Sequence, residues 1–178
     1  MYTVTTGIHI HFAHHVRGHL GPCISLHGHT WLFQVTLAAE ELDAQGFVVD
    51  FDLLYERVLT PCHLLLDHSL AVGSETYRDI AEPLAAVGEK LVASRNDVHG
   101  HCGTPQPQFL GELAGAQNHN PGGIKVCVFP FTPTSERLAE WLFRMTATEV
   151  QDKRVRMQRA RIYETMHPSE SFADFSAS

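Results

Sequence analysis

The sequence predicts an α+β fold in which an antiparallel sheet packs on two main helices. Apolar and polar residues alternate over 2–13, 29–39 and 155–165, which is the pattern of strands that bury one face. A shorter apolar run at 124–129 also predicts a strand. Because single helical segments separate these strands and no regular βαβ repeat occurs, the pattern is typical of an α+β fold.

The first half of the chain is predicted to hold two strands joined by a loop. The loop covers 18–25, where glycine and proline break regular structure. The strand at 29–39 has one wholly apolar face, formed by Trp31, Phe33, Val35 and Leu37. A turn at 44–46 then lets the chain return over 47–50.

Two helices are predicted to cover the sheet. Asp50 or Asp52 can cap a helix that continues to Val58, and Pro61 is expected to interrupt its pattern. The second helix is expected to begin after Pro133. Its inward stripe consists of Leu138, Trp141, Leu142 and Met145.

The stretch at about 73–123 differs in pattern from the rest of the chain. It holds a helix over 75–92, bent or interrupted at Pro83, and then a long irregular loop. That loop contains a second histidine pair, His99-Gly100-His101, followed by Cys102. The pair either forms a surface zinc or copper site or belongs to a flexible loop in which its histidines are incidental. The second interpretation is favoured because no strand pattern flanks the pair.

Composition and charge limit the functions that the chain can have. Its 178 residues are 44% hydrophobic and 19% charged, as expected for one soluble globular domain. The net charge of −7 makes nucleic acid an unexpected partner. Four cysteines without a signal-like start predict reduced thiols and a cytoplasmic location. No apolar run reaches the ~20 residues of a membrane span.

The most informative chemical motif is a His-Gly-His sequence that opens the second strand. His27 and His29 are two residues apart, so on a strand their imidazoles point to one side and can bind one zinc ion. His14, at the end of the first strand, can supply a third imidazole, and Cys23 would be a nearby thiol free to act as a base. The alternative is that the histidines are incidental in a chain with thirteen of them and that Cys23 is a buried small hydrophobe.

Three shorter signals carry less information by themselves. Asp67-His68 places a carboxylate beside an imidazole, but sequence neighbours rarely bond to each other through their side chains. Glu164 lies at the end of the last strand, where a carboxylate can accept two parallel N–H donors from a 2-amino-4-oxo-pyrimidine edge. Alternatively, Glu164 is simply a solvated residue at the end of a strand. Thr134 fits a helix cap.

Together these motifs resemble the 6-pyruvoyl-tetrahydropterin synthase family, which includes the 6-carboxytetrahydropterin synthases of the deazapurine (queuosine) route. The resemblance covers 2–72 and 124–166, and it implies a single domain over 1–178 with an insertion at about 73–123. Its motifs, in chain order, are Ala13-His14, Cys23-x3-His27-Gly28-His29, residues 46–51, Leu66-Asp67-His68, Pro133-Thr134-Ser135-Glu136 and Glu164-Thr165. Six motifs in one order are far more specific than any one of them.

The resemblance implies a fold and a set of residue roles. The fold is the tunnelling fold, whose sheets join into a barrel across subunits, usually as a homohexamer made of two trimers. The implied zinc ligands are His14, His27 and His29. Cys23 is the implied proton-moving thiol, with Asp67 and His68 supplied by a neighbouring subunit. Glu164 is implied to anchor the pterin ring, with Thr134 beside it.

The resemblance also implies a reaction, that of a zinc-dependent lyase acting on 7,8-dihydroneopterin triphosphate. The Cys-x3-His-Gly-His spacing resembles the branch that forms 6-carboxy-5,6,7,8-tetrahydropterin. The alternatives are the pyruvoyl-forming branch, which eliminates triphosphate, a non-catalytic pterin-binding protein, and a metal-handling protein with two His-Gly-His sites. Candidate phosphate contacts are Arg17, Lys125, Arg154, Arg156 and Arg161.

Overall fold

The computed structural model of the chain describes residues 1–94 and 111–177. It divides into two compact units, each built from separate stretches of the sequence. Unit 1 consists of Met1–Phe12, Gly28–His63 and Thr134–Ser178, and unit 2 consists of Ala13–His27 and Leu64–Pro133.

The elements of the first 66 residues are two long strands and a composite helix. They are β1 (Tyr2–His14), a 3₁₀ turn (Pro22–Ile24), β2 (His27–Ala39), α1 (Phe51–Leu54), a π-helical segment (Tyr55–Leu59) and α2 (Thr60–Leu66). Asp50 caps α1, since its side chain accepts a hydrogen bond from the Asp52 amide. The predicted first strand, second strand and helix cap therefore all occur.

The remaining described elements alternate short strands with two long helices. They are β3 (Leu70–Gly73), α3 (Ser74–Ala93), β4 (Glu112–Leu113), β5 (Ala116–His119), a 3₁₀ turn (Pro121–Gly123), β6 (Val126–Phe129), α4 (Ser135–Val150), β7 (Val155–Thr165) and β8 (Ser171–Ser176). The described part of the 73–123 stretch thus contains α3, β4 and β5.

Unit 1 is a sheet covered by α4. Its strands follow the order β1-β2-β7-β8, with antiparallel pairing of β2 with β7 and of β7 with β8. Alternation buries one face of β2, and α4 packs against β7 and β8 with its predicted inward stripe. The core includes the fully buried side chains Trp31, Phe33, Leu37, Leu138 and Leu142.

Unit 2 is a smaller sheet covered by α3. Its strands follow the order β4-β5-β6-β3, and β3 also pairs with the last residues of β1. The buried residues Leu70, Val72, Val126 and Val128 form its core. The pairs β1/β3 and β3/β6 are parallel, whereas β4/β5 and β5/β6 are antiparallel. Unit 2 thus has two antiparallel pairs, as predicted, and two parallel pairs that the sequence pattern does not predict.

Two prolines that were expected to interrupt helices lie within helical segments. Pro61 is the second residue of α2, directly after the π-helical segment in which the Thr60 amide bonds to the Tyr55 carbonyl. This wider turn accommodates a residue that has no N–H to donate. Pro83 lies inside the continuous helix α3, and it is exposed, so water can reach the carbonyl that lost its donor.

The returning segment 47–50 forms no strand. The Asp43 carboxylate accepts hydrogen bonds from the amides of Gln45 and Phe47. The Arg154 guanidinium donates to the carbonyls of Phe47 and Val48 at 3.2 and 2.8 Å. Side chains therefore satisfy the backbone groups that a strand ladder would otherwise use.

Candidate metal centre

Two of the predicted ligands, His14 and His27, contact each other within unit 2. His14 is the last residue of β1 and is only 1% exposed, and His27 is the first residue of β2. Their Nε2 atoms lie 3.0 Å apart. The end of one strand and the start of the next therefore bring together two imidazoles that are thirteen residues apart in the sequence.

The second nitrogen of each ring determines the tautomer. His14 Nδ1 lies 2.9 Å from the Pro133 carbonyl oxygen, and His27 Nδ1 lies 2.8 Å from that of Ser25. A carbonyl oxygen only accepts hydrogen bonds, so in each neutral ring the proton sits on Nδ1. Both Nε2 atoms then carry lone pairs, and these lone pairs face each other at hydrogen-bonding distance.

This arrangement fits a metal ion. Two facing lone pairs repel each other unless a proton or a cation lies between them. Metal-binding histidines commonly donate their other N–H to a carbonyl, which fixes the ring and strengthens the ligand. The donor set and its backbone partners are therefore those of a histidine metal centre.

The other two potential ligands, His29 and Glu164, approach each other within unit 1. His29 Nε2 lies 3.6 Å from Glu164 Oε1, and each side chain is about a quarter exposed. The pairing of β7 with β8 shifts register between Tyr163 and Thr165. An irregularity of this kind changes the direction of a side chain, and here it occurs at Glu164.

His27 and His29 are alternate residues of β2, so their side chains share a face of the strand. The potential metal ligands are therefore His14 and His27 of unit 2 and His29 and Glu164 of unit 1. Imidazole and carboxylate ligands are used by zinc and by several other transition metals. His15 is not a member of this group. Its pKa is lowered, mainly by burial and further by the positive charge of Arg17.

A cavity of about 380 Å³ lies beside Glu164 within unit 1. It is lined by His29, Thr30, Glu164, Thr165, Met166 and His167. A volume of this size is at the lower end of the range for small-molecule sites. The carboxylate predicted to anchor a heterocycle therefore lines a space that admits a small ligand.

Cys23 lies in the 3₁₀ turn of the loop between β1 and β2. Its thiol is half-buried and forms no disulfide. The Val16 amide donates to the Cys23 carbonyl at 3.1 Å, which closes the loop. Arg17 on the same loop contacts Asp79 at 2.7 Å and Glu75 at 3.6 Å, so this candidate phosphate contact is engaged by α3.

Asp67 and His68 bond directly to each other, contrary to the expectation for neighbours in sequence. His68 Nδ1 lies 2.6 Å from Asp67 Oδ2. The expectation holds for regular elements, in which adjacent side chains point apart. His68 instead follows α2 with φ of 57°, in the left-handed region. Asp67 is 17% exposed and His68 is 71% exposed, so the pair presents its imidazole to solvent.

The other predicted contacts have structural partners. Thr134 caps α4, since its hydroxyl accepts from the Arg137 amide at 3.4 Å. Lys125 Nζ donates to two backbone carbonyls. Arg156 pairs with Glu40, and Arg161 forms two bonds with Asp174. The second histidine pair, at residues 99–101, lies outside the described residues.

Sequence reasoning missed the two carbonyls that hold the ligand imidazoles. The Pro133 carbonyl is 119 residues from His14 along the chain, and no residue type marks a carbonyl as a partner. The Ser25 carbonyl is two residues before His27, so only its spacing could have suggested it. Among the described residues, no helix is both long and apolar enough to cross a membrane.

Comparison with known proteins agrees with the predicted family. A family model described as 6-pyruvoyl tetrahydropterin synthase matches residues 3–174. The chain is 35% identical over 77 residues to the 6-carboxy-5,6,7,8-tetrahydropterin synthase of Bacillus subtilis. The matched residues cover 43% of this chain and 50% of that protein. It is 30% identical over 98 residues to the Rickettsia bellii protein of the same name, and this match covers 54% of this chain and 70% of that protein. The chain thus spans half the length of the first relative.

Solved structures share the fold. An uncharacterised protein of Wolinella succinogenes matches with a TM-score of 0.63 and 20% identity, covering 99% of this chain and 98% of that one. The 6-pyruvoyl tetrahydropterin synthase of Caenorhabditis elegans matches with a TM-score of 0.57 and 14% identity, covering 99% and 96%. These likenesses confirm the predicted tunnelling fold. Since the family model matches nearly the whole sequence, the chain belongs to the 6-pyruvoyl tetrahydropterin synthase family.

Proposed function

We propose that this chain is a zinc-dependent 6-carboxy-5,6,7,8-tetrahydropterin synthase, a lyase that acts on 7,8-dihydroneopterin triphosphate in the queuosine route. The names of the bacterial relatives support this branch of the family. The observation that carries the proposal is the 3.0 Å approach of the two Nε2 atoms of His14 and His27, whose Nδ1 atoms are both held by carbonyls.

The proposed zinc ligands are His14, His27 and His29. These three imidazoles would hold the ion, and a bound zinc ion would supply the Lewis acidity that makes C–H and O–H bonds of the substrate side chain easier to deprotonate. The Pro133 and Ser25 carbonyls keep two of these rings in the tautomer that presents Nε2.

Glu164 is proposed to orient the pterin ring. Its carboxylate lines the 380 Å³ cavity and can accept two parallel N–H bonds from the pyrimidine edge of a pterin. Charge-assisted bonds of this kind fix orientation as well as affinity, so the reacting carbons are held in one place. Thr134 is proposed as a secondary contact, since its hydroxyl lies at the start of α4.

Cys23 is proposed to remove a proton from the substrate side chain, and the Asp67–His68 pair to carry the second proton. The Asp67 carboxylate accepts a bond at His68 Nδ1, so Nε2 of that ring is the atom left to exchange a proton. Because the His68 ring is mostly exposed, it suits a role at the site of a neighbouring subunit in a homohexamer.

The proposal includes a cytoplasmic location and a single domain with an insertion at about 73–123. Among the described residues, Cys23, Cys62 and Cys127 form no disulfide, which is compatible with a reducing compartment. The expected partners are the small pterin substrate and further copies of the same chain in a homohexamer, with neither nucleic acid nor a membrane.

A product assay tests the function. The zinc-loaded protein is incubated with 7,8-dihydroneopterin triphosphate, and the pterins are identified by mass spectrometry. We expect a 6-carboxy product with released acetaldehyde, lost in Cys23→Ala. A pyruvoyl product would assign the chain to the other branch, and no turnover by a zinc-loaded protein would contradict the enzymatic proposal.

A further inference from the structure

The end of helix α2 is closed by donors from another part of unit 2. The last carbonyls of a helix have no partner within it. Here Lys125 Nζ donates to the carbonyls of Leu64 and Asp67, both at 2.8 Å. One ammonium group therefore joins the last turn of α2 to the residue that carries the proposed catalytic carboxylate.

The two carbonyls between them also have donors. Asn118 Nδ2 donates to the Leu65 carbonyl at 2.9 Å, and the Ser69 amide donates to the Leu66 carbonyl at 2.9 Å. Every carbonyl from 64 to 67 is thus satisfied. Because Asn118 is 6% exposed and belongs to β5, and Lys125 directly precedes β6, the sheet of unit 2 supplies most of these bonds.

The turn whose carbonyls at 64–67 accept these bonds is also the turn that contains the Asp67–His68 pair. His68 adopts a left-handed backbone conformation, which is uncommon for residues other than glycine. Such a conformation persists where the surrounding structure holds it. Three of these bonds end on carbonyls that precede His68, and the fourth, from the Ser69 amide to the Leu66 carbonyl, spans His68.

Lys125 is suited to this position by charge as well as by its donors. The ammonium is half-buried, and burial lowers its pKa, while the negative charge of Asp67 raises it. A cation at a helix C-terminus also interacts favourably with the helix dipole. Lys125 is consequently placed where its charge acts on both α2 and Asp67.

We propose that Lys125 is a positioning residue, whose ammonium holds the turn at 64–68 so that Asp67 stays bonded to His68 Nδ1. The catalytic part of this inference rests on the proposed function, whereas the geometric part does not. Lys125 is therefore assigned to the proton-transfer pair and not to the substrate phosphates.

The test compares Lys125→Met with Lys90→Met, which removes an exposed lysine from α3 of the same unit. Imidazole nitrogens are observed by long-range ¹H–¹⁵N spectra at about pH 8, where unperturbed histidines are neutral, and His68→Gln identifies the His68 signals. We expect the Nδ1–H tautomer of His68 in the parent chain and in Lys90→Met, and its loss in Lys125→Met. We also expect kcat to fall about tenfold or more in Lys125→Met, with KM within about twofold.

An unchanged His68 tautomer in Lys125→Met would overturn the proposal, as would a kcat equal to that of Lys90→Met. If Lys125→Met does not fold, Lys125→Gln takes its place, since a side-chain amide can still donate to one carbonyl. If the parent chain does not turn over the pterin, the proposed function fails, but the tautomer measurement still decides the positioning role.

Discussion

His14 and His27 face each other through their Nε2 atoms at 3.0 Å, while backbone carbonyls hold both Nδ1 atoms. In neutral imidazoles this places two lone pairs against each other, an arrangement that a shared cation stabilises. The His14 ring is held by the carbonyl of Pro133, two residues before α4, and the His27 ring by the carbonyl of Ser25 in the loop that carries Cys23. The site is therefore organised by the backbone before any ligand binds.

Cys23→Ala is expected to abolish most of the turnover without loss of zinc. A positioned base contributes roughly 10²–10⁴ to a rate, so kcat should fall by about that factor. Steady-state kinetics and metal analysis of the same preparation provide the measurement. Ser25→Ala is the matched control from the same loop, because it leaves the Ser25 carbonyl in place. Loss of less than about tenfold in Cys23→Ala would contradict the proposed role of the thiol.

Glu164→Gln separates ring anchoring from metal binding. Hydrogen bonds to a charged group are worth about 1.5–3 kcal/mol, so kcat/KM should fall about tenfold to a hundredfold. Zinc content should stay at the level of the parent chain, because three imidazoles suffice to bind the metal. Glu170→Gln, at an exposed position shortly after it, is the control. A loss of zinc in Glu164→Gln would instead make Glu164 a ligand.

Much of the fold could be predicted because the responsible pattern is local. Alternation marks β1 and β2, and the spacing of Leu138 and Leu142 marks α4, so these elements occur nearly where expected. The predicted family is also confirmed. By contrast, β3 is a four-residue buried run that does not alternate, and it follows a turn in which the Asp67 carbonyl accepts a hydrogen bond from Lys125. Its parallel pairing has no local signature.

The site was only partly predictable for the same reason. The spacing of His27 and His29 predicts that their side chains share one face of a strand, and both residues do lie on β2. The Pro133 carbonyl reaches His14 only through the tertiary fold. The Ser25 carbonyl and the bond between Asp67 and His68 are local, but they depend on loop conformations that the residue types do not indicate. The sequence pattern did not predict strand β8. Asp174 of this strand accepts two hydrogen bonds from Arg161, which was a candidate phosphate contact.

The Arg161–Asp174 pair predicts a pH-dependent stability. Arg161 donates to both carboxylate oxygens, at 2.6 and 2.7 Å, and this bonding lowers the pKa of Asp174 from its usual 3.8. A carboxyl with a depressed folded-state pKa adds stability above its unfolded pKa and loses it as the pH falls through the folded value.

Asp174→Asn should therefore reduce the free energy of unfolding by about 0.5–1 kcal/mol at pH 7. The difference from the parent chain should persist down to about pH 4 and shrink at lower pH. Urea denaturation across this range provides the measurement, with Glu149→Gln as an exposed control. A difference that grows on acidification would have the wrong sign for this mechanism.

Gly88→Ala tests how α3 packs within unit 2. Alanine normally stabilises a helix interior by about 1 kcal/mol relative to glycine. Here an added Cβ would lie 2.5 Å from the Gly122 carbonyl oxygen and 2.8 Å from that of Pro121, which are backbone atoms that cannot move aside easily. We expect a net loss of about 1–3 kcal/mol from overpacking.

The control for this substitution is Ala86→Gly, at an exposed position of the same helix, which isolates the effect of helix propensity. Thermal and urea unfolding of both variants should show that Gly88→Ala destabilises in spite of its better propensity. A more stable Gly88→Ala would mean that the Pro121–Gly123 turn does not pack closely on α3.

X-ray absorption at the zinc edge, combined with metal analysis, tests the central claim most directly. We predict one zinc ion per chain with a shell of nitrogen and oxygen ligands at about 2.0–2.2 Å, including three imidazoles. His14→Ala should lose the ion, whereas His9→Ala, which changes an exposed residue of β1, should retain it. A sulfur ligand at about 2.3 Å, two ions per chain, or full zinc content in His14→Ala would contradict the three-histidine site.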